Sequence, residues 1–250
     1  MAEDAADHYV GITWCGESWL AVAFTAEGFD HVTVCDGIGD CWAAYEETAR
    51  RILVDLPVGL VESGDPARRC DDLARRVLGP QAGTVYTPPV REATRKRRYS
   101  TAGRVHERKS GDPLSEAAFE ARDGIAMLDE LLQEVPEAAA VIRSSHPELC
   151  FRALAGDPLE QPRETAAGYA ERMRVLAHYD RDAAPTVQRA AEETAGHTVT
   201  VADVLDAVVL AYTAAPGDGS IRTLPPEPPT DAKGLPMELV YRASAALSGD

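Results

Sequence analysis

Three β-rich runs in close succession constrain this chain more than any other feature. Residues 9–12, 19–25 and 31–35 are apolar or β-branched, and only short glycine-bearing connections at 15–18 and 26–29 separate them. Runs spaced this closely, with turn residues between them, pair as an antiparallel meander. Helical character at 39–49 leads into an apolar strand at 51–60, which ends at Pro57 and Gly59 and holds one acid, Asp55. Further helices are expected at 66–78, 114–134, 165–179, 183–195 and 201–214. A short strand is expected at 139–143, and a last strand or turn at 238–241. The segment 91–112 lacks clean periodicity, and 216–233 is rich in Pro and Gly. The order predicts an α/β fold: a mixed sheet whose three-strand meander is followed by α-β crossovers, with helices on both faces. With no internal repeat and no evident linker, residues 1–250 read as one domain. It carries a basic, helical insertion at about 80–137 and a Pro-rich loop at about 215–235.

Composition narrows the function classes. No apolar run reaches the length needed to span a bilayer, so no membrane association is expected. The acidic N-terminus lacks the basic region of a signal peptide. Five scattered cysteines with no CxxC argue for reduced thiols, which places the protein in the cytoplasm. The net charge is −16, and only 3 of the 25 basic residues are lysine. That balance, with abundant Ala, predicts a halophilic protein of the haloarchaeal kind, whose self-repulsion strong salt would screen. No GxGxxG, P-loop or GxSxG motif is present, which leaves dinucleotide, P-loop and α/β-hydrolase chemistry without support.

The candidate site residues are polar groups in apolar settings. A carboxylate in the strand of Asp55 is costly unless it sits at the strand end, binds metal or is hydrogen-bonded; the alternative is a turn that caps the Pro57–Gly59 bend. Asp203 and Asp206 share one face of a strongly apolar helix, where a divalent cation would neutralise them. Asp203 also lies in the first turn, where an acid favours the helix dipole. In His146-Pro-Glu148, the His is a candidate ligand or base and Glu148 a further acid. Arg68 and Arg69 open a helix and suit bidentate phosphate contacts, or ion pairs with Asp71 and Asp72. The segment 91–109 holds eight basic residues (Arg91, Arg95, Lys96, Arg97, Arg98, Arg104, Arg108 and Lys109) against two acids. Its net +6 leaves −22 on the rest of the chain. Such an island reads either as a contact for nucleic acid or as a loop paired with the acidic surface.

Ordered pieces of the chain resemble the DUF429 family, predicted nucleases of the ribonuclease H-like superfamily. They are Val10-Gly-Ile-Thr-Trp14 with Trp19, Val54-Asp-Leu-Pro-Val-Gly-Leu60, Arg69-Cys-Asp71, Val85-Tyr-Thr-Pro-Pro89, His146-Pro-Glu148 with Phe151, Asp203-Val-Leu-Asp-Ala207 and Gly234-Leu-Pro-Met-Glu238. The resemblance implies a ribonuclease H-like core and phosphodiester hydrolysis dependent on Mg²⁺ or Mn²⁺. It implies Asp55, Asp203, Asp206 and Glu148 as metal ligands, with Asp55, Glu148 and Asp206 as the catalytic set. Phosphate contacts would come from Arg68, Arg69, His146 and the basic island. One position departs from the pattern: Thr13 stands where the family has a first-strand Asp. A hydroxyl cannot replace the charge of a bridging carboxylate.

Two expectations follow. One is a metal-dependent nuclease acting on DNA or RNA; the other is a catalytically inactive module, of the same fold, that binds nucleic acid or a protein. A phosphotransfer enzyme ranks last, because the glycine-rich phosphate hairpins of sugar kinases and actin-like ATPases are missing.

Overall fold

The computed structural model describes residues 6–247. Strands β1 (His8–Trp14), β2 (Trp19–Thr25) and β3 (Gly28–Cys35) form the antiparallel meander. Helix α1 (Ile38–Tyr45) crosses to β4 (Ala49–Val54), which pairs parallel to β1. Between β4 and β5 (Ile142–Ser144) lie α2 (Arg69–Leu78), a 3-10 turn (Gly79–Thr84), α3 (Arg91–Thr94), α4 (Tyr99–Ser110), α5 (Glu116–Glu120), α6 (Arg122–Glu134) and α7 (Pro136–Val141). β5 pairs parallel to β4, which completes a mixed sheet of order β3-β2-β1-β4-β5. Four helices follow: α8 (Pro147–Ala155), α9 (Ala166–Tyr179), α10 (Ala183–Glu193) and α11 (Val201–Ala214). The chain closes with a separate antiparallel pair, β6 (Ser220–Leu224) and β7 (Leu239–Ala243). Among the described residues no helix is long and apolar enough to cross a membrane.

Period-2 alternation divides the sheet's side chains between two cores. Leu20, Val22, Phe24 and Leu53 meet α8 to α11 on one face, whereas Val10, Ile12, Ala21, Ile52 and Val54 meet α1 and α6 on the other. Gly11 decides how closely α11 lies on the sheet. A Cβ there would stand 2.1 Å from the Ala207 carbonyl oxygen and 2.5 Å from the Ala211 nitrogen. The bare glycine therefore lets the helix that carries Asp206 rest on β1.

Several segments differ from expectation. The fourth strand stops at Val54, so Asp55 is the first residue past its end, although its N–H still donates to the Ile12 carbonyl at 2.9 Å. The segment 91–112 contains α4, whose buried face is only Ala102, Val105 and His106; such a narrow stripe hides helical periodicity. The helix expected at 114–134 breaks at Ala121, after Ser115 caps α5 by accepting from the Ala118 N–H. Beyond the break, Gly124 seats against Trp14 and Leu56, where a Cβ would fall 2.9 Å from either. Residues 136–141 are helical rather than extended, because Pro136 starts a turn continued by three alanines. The Pro-rich tail is not only loop: it supplies β6, and its Asp231 accepts from the N–H groups of Leu60, Lys233 and Leu235.

Candidate functional site

Three parallel-strand features build one cleft. β1 and β4 end side by side, which brings Thr13 and Asp55 together; the Thr13 hydroxyl donates to Asp55 Oδ2 at 3.5 Å. β5, next to β4, runs into α8, whose first turn holds Glu148. Ligand sites gather at the carboxyl ends of strands in such sheets, where loops and helix starts converge. The cleft encloses about 490 Å³. Its floor presents Asp55, His146, Glu148 and Arg163, and its walls include Trp14, Leu56, Pro57, Val85 and Tyr86.

Asp206 is fully buried on α11 and lies behind Arg163, whose Nη1 donates to Asp206 Oδ2. The other oxygen, Oδ1, has no hydrogen-bond partner. Glu148 is equally lopsided. Its Oε1 accepts from Arg172 at 2.5 and 3.0 Å, while its buried Oε2 is unpartnered. Arg172 is itself fully buried and tied to the Gln161 and Gly168 carbonyls. Buried polar atoms without partners are rare and costly, so two of them on neighbouring acids call for an explanation.

The charges are strained as well. Burial pushes the Asp55 carboxyl well above the usual carboxylate range, and the nearby Asp206 charge adds to this. Asp206 is raised to about 7 by burial; Glu148 and Asp203 reinforce the shift, and Arg163 opposes it without cancelling it. Glu148 is raised by burial against the pull of Arg172. The Arg163 guanidinium is held charged, chiefly by Asp206 and then by Asp55. Desolvation of the half-buried His146 ring pushes it down to about 4, so the ring is neutral near pH 7. Its Nε2 lies 3.4 Å from the Thr84 carbonyl, and its Nδ1 has no partner.

The remaining predicted residues are placed elsewhere or engaged. Asp203, expected as a ligand, instead completes a capping box: its carboxylate accepts from the Thr200 N–H at 2.8 Å while Thr200 Oγ1 accepts from the Asp203 N–H. A residue at the third position of a helix reaches back to the cap, whereas one three positions later faces the core. Arg68 touches the cleft but is buried in a bidentate pair with Asp71, at 2.6 and 2.8 Å, and also donates to the Val58 carbonyl. Arg69 is exposed at the start of α2. The basic island is largely paired with acids, although only Arg91 is buried. Arg91 is buried against Asp129, Glu62 and Asp231, and Arg95 also reaches Asp129. Lys96, Arg108 and Lys109 gather on Glu92. Arg97, Arg98 and Arg104 remain exposed, without an ion pair among the described residues. Sequence reasoning missed Arg163 and Arg172. No periodicity marks the first, and the second sits in a helix whose composition reads as solvent-facing.

An all-oxygen donor set with unfilled lone pairs suits a hard divalent cation. Asp55, Asp206 Oδ1 and Glu148 Oε2 are the donors such an ion would draw on. They do not fit a closely bridged pair, since Thr13 supplies no charge. Nor do they form a tight cage: among the described residues, three His, Cys, Asp or Glu ligand atoms lie within 4.8 Å of one another only at His8, Asp30 and His31. At this spacing one or two of the carboxylates would ligate Mg²⁺ directly, and its retained waters would bridge to the rest.

Fold and cleft together define a mixed α/β protein with buried carboxylates at the carboxyl ends of its parallel strands. The chain belongs to the DUF429 family, described as proteins of unknown function, whose model matches residues 11–230. No curated protein and no solved structure matches the chain.

Proposed function

We propose that the chain is a ribonuclease H-like, Mg²⁺- or Mn²⁺-dependent phosphodiesterase acting on nucleic acid. The observation that carries this reading is the pair of unpartnered buried oxygens, Asp206 Oδ1 and Glu148 Oε2, beside the raised carboxyl of Asp55. The strand order, a meander continued by two parallel strands, agrees with the fold. A bound divalent ion would polarise a phosphoryl oxygen and lower the pKa of its water. Asp55, Asp206 and Glu148 would hold it, in part through its waters. Arg172 fixes one oxygen of Glu148 and so aims the other. His146, neutral and with Nδ1 open, accepts a proton there. Arg163, charged and half-exposed at the cleft floor, meets a phosphate once it leaves Asp206. Arg97, Arg98 and Arg104 offer the exposed cations for the backbone of a longer strand.

The test is cleavage of single-stranded, duplex and hybrid substrates in molar KCl with Mg²⁺ or Mn²⁺. The proposal expects cleavage that stops with EDTA and with Asp55→Asn. Absence of cleavage on all three substrates overturns it.

A second reading rests on Arg163. Its guanidinium stands against Asp206 where an ion would, and Thr13 removes a charge that two ions would need. In that reading the chain is a non-catalytic binding module with a built-in cation. Nucleic-acid binding that persists in EDTA without cleavage, and metal-dependent cleavage gained with Thr13→Asp, would favour it.

A further inference from the structure

We propose that His8, Asp30 and His31 form a second metal site, for a transition ion such as Zn²⁺, at the end of the sheet opposite the cleft. The three ligand atoms already converge. His8 Nε2 and His31 Nδ1 lie 3.0 and 2.9 Å from the same oxygen of Asp30, and all three fall within 4.8 Å of one another. Imidazole and carboxylate together suit Zn²⁺, which takes three protein ligands and one open position in sites that bind or react.

The backbone is shaped for this convergence. β1 and β3 flank β2, where Ala23 pairs with both Val10 and His31. His8, two residues before Val10, shares its face, and the small Ala23 leaves room for the two rings to meet, with centroids 5.6 Å apart. Consecutive strand residues normally face opposite ways, so Asp30 and His31 should diverge. A bulge prevents that: Ala23 pairs with His31 and Phe24 with Phe29, which leaves Asp30 as the extra residue. The β1–β4 ladder also slips at His8, where Ala49 and Arg51 pair with successive residues. Two irregularities in an otherwise regular sheet meet at this one cluster.

The outer contacts orient both rings. His8 Nδ1 lies 2.9 Å from Thr48 Oγ1, and His31 Nε2 lies 3.1 Å from the Tyr45 hydroxyl, which in turn lies 3.0 Å from Thr33 Oγ1. Such partners hold a ligating histidine in place and set its tautomer. Hydroxyls both donate and accept. Each ring therefore moves its proton to the nitrogen facing the hydroxyl when an ion takes the other, and the Tyr45 hydroxyl then donates to Thr33. The side chains of Asp30 and His31 are 45% and 42% exposed, so an ion and its water reach the open position from solvent.

The experiment uses the full chain stripped with chelator and titrated with Co²⁺, read by its visible d–d absorption, then with Zn²⁺ in competition. The expected result is the intense band of a four-coordinate site saturating at one ion per chain and displaced by Zn²⁺; Co²⁺ in the all-oxygen cleft, six-coordinate, would absorb only weakly. His8→Ala or His31→Gln should weaken binding more than the roughly 100-fold that loss of an outer contact can cost. Tyr45→Phe should weaken it by roughly 10-fold. Asp206→Asn, in the distant cleft, should leave the band unchanged. Equal Co²⁺ binding by the parent chain and both histidine variants, or no four-coordinate band, overturns the site. Should the variants not fold, Zn²⁺ protection of His8 and His31 from carbethoxylation in the unaltered chain is the second readout. Protection supports the site, and unchanged modification rates overturn it.

Discussion

Arg91 and Arg163 both turn inward onto carboxylates, yet their surroundings differ in one respect. Arg91 joins Asp129, Asp231 and Glu62 in a network where Asp231 and Asp129 find further donors, among them backbone N–H groups and Gln133. Asp231 is accordingly held below the usual carboxylate range: its burial is outweighed by the Leu60, Leu235 and Lys233 N–H groups together with Arg91. Around Arg163 the same chemistry stays open, with two oxygens unpartnered and all three acids shifted upward. A satisfied buried pair ties the insertion and the tail to the core. An unsatisfied one is a standing cost that a bound ligand relieves. Buried charge alone therefore does not mark a site; the missing hydrogen bonds do.

The comparison can be broken by substitution. Arg91→Ala should destabilise the chain by about 3–5 kcal/mol, because it leaves Asp129 and Asp231 buried without their cation; urea unfolding measures this. Asp206→Asn should do the opposite. At about pH 8 it removes a carboxylate forced to ionise in a buried place, and stability should rise by about 1–3 kcal/mol while Mg²⁺ or Mn²⁺ binding is lost. A stability loss as large as that of Arg91→Ala would erase the distinction between the two networks.

The pH dependence sharpens it. An acid whose folded pKa exceeds its unfolded value of about 3.9 binds its proton more tightly when folded. The unfolded chain then holds fewer protons, so stability is highest near pH 4, falls as pH rises to about 7, and levels off above. Asp55 and Glu148 act in the same direction. Asp206→Asn should flatten part of this slope, and saturating Mg²⁺ should reduce it further, as read by thermal unfolding across that range.

Two smaller effects complete the set. Asp203→Ala should cost about 0.5–1 kcal/mol through loss of the carboxylate half of the capping box and leave metal binding unchanged, which separates it from Asp206 despite their shared helix. Replacing Arg97, Arg98 and Arg104 by Ser should weaken nucleic-acid binding and lower the slope of log affinity against log salt by about 2–3. An unchanged slope would assign the whole island to internal pairing.

The meander, the fourth strand and α11 were legible because each buries a long apolar run of clear period. Asp55 was legible as an acid in such a run. Insertion helices were less so, since α4 buries one narrow stripe and α5 and α6 share a single periodic segment with a break at Ala121. Arg163 and Arg172 were illegible: they meet Asp206 and Glu148 across 43 and 24 residues of sequence, and no local pattern encodes such a meeting.

Local sequence thus determined which elements form and which acids lie in apolar settings, because periodicity and burial cost are short-range properties. Only the tertiary structure decided which oxygens stay unpartnered, that Asp203 caps while Asp206 is buried, and that most of the basic island is internally paired. Hydrogen-bond satisfaction depends on every group that packs nearby, and those groups come from distant parts of the chain.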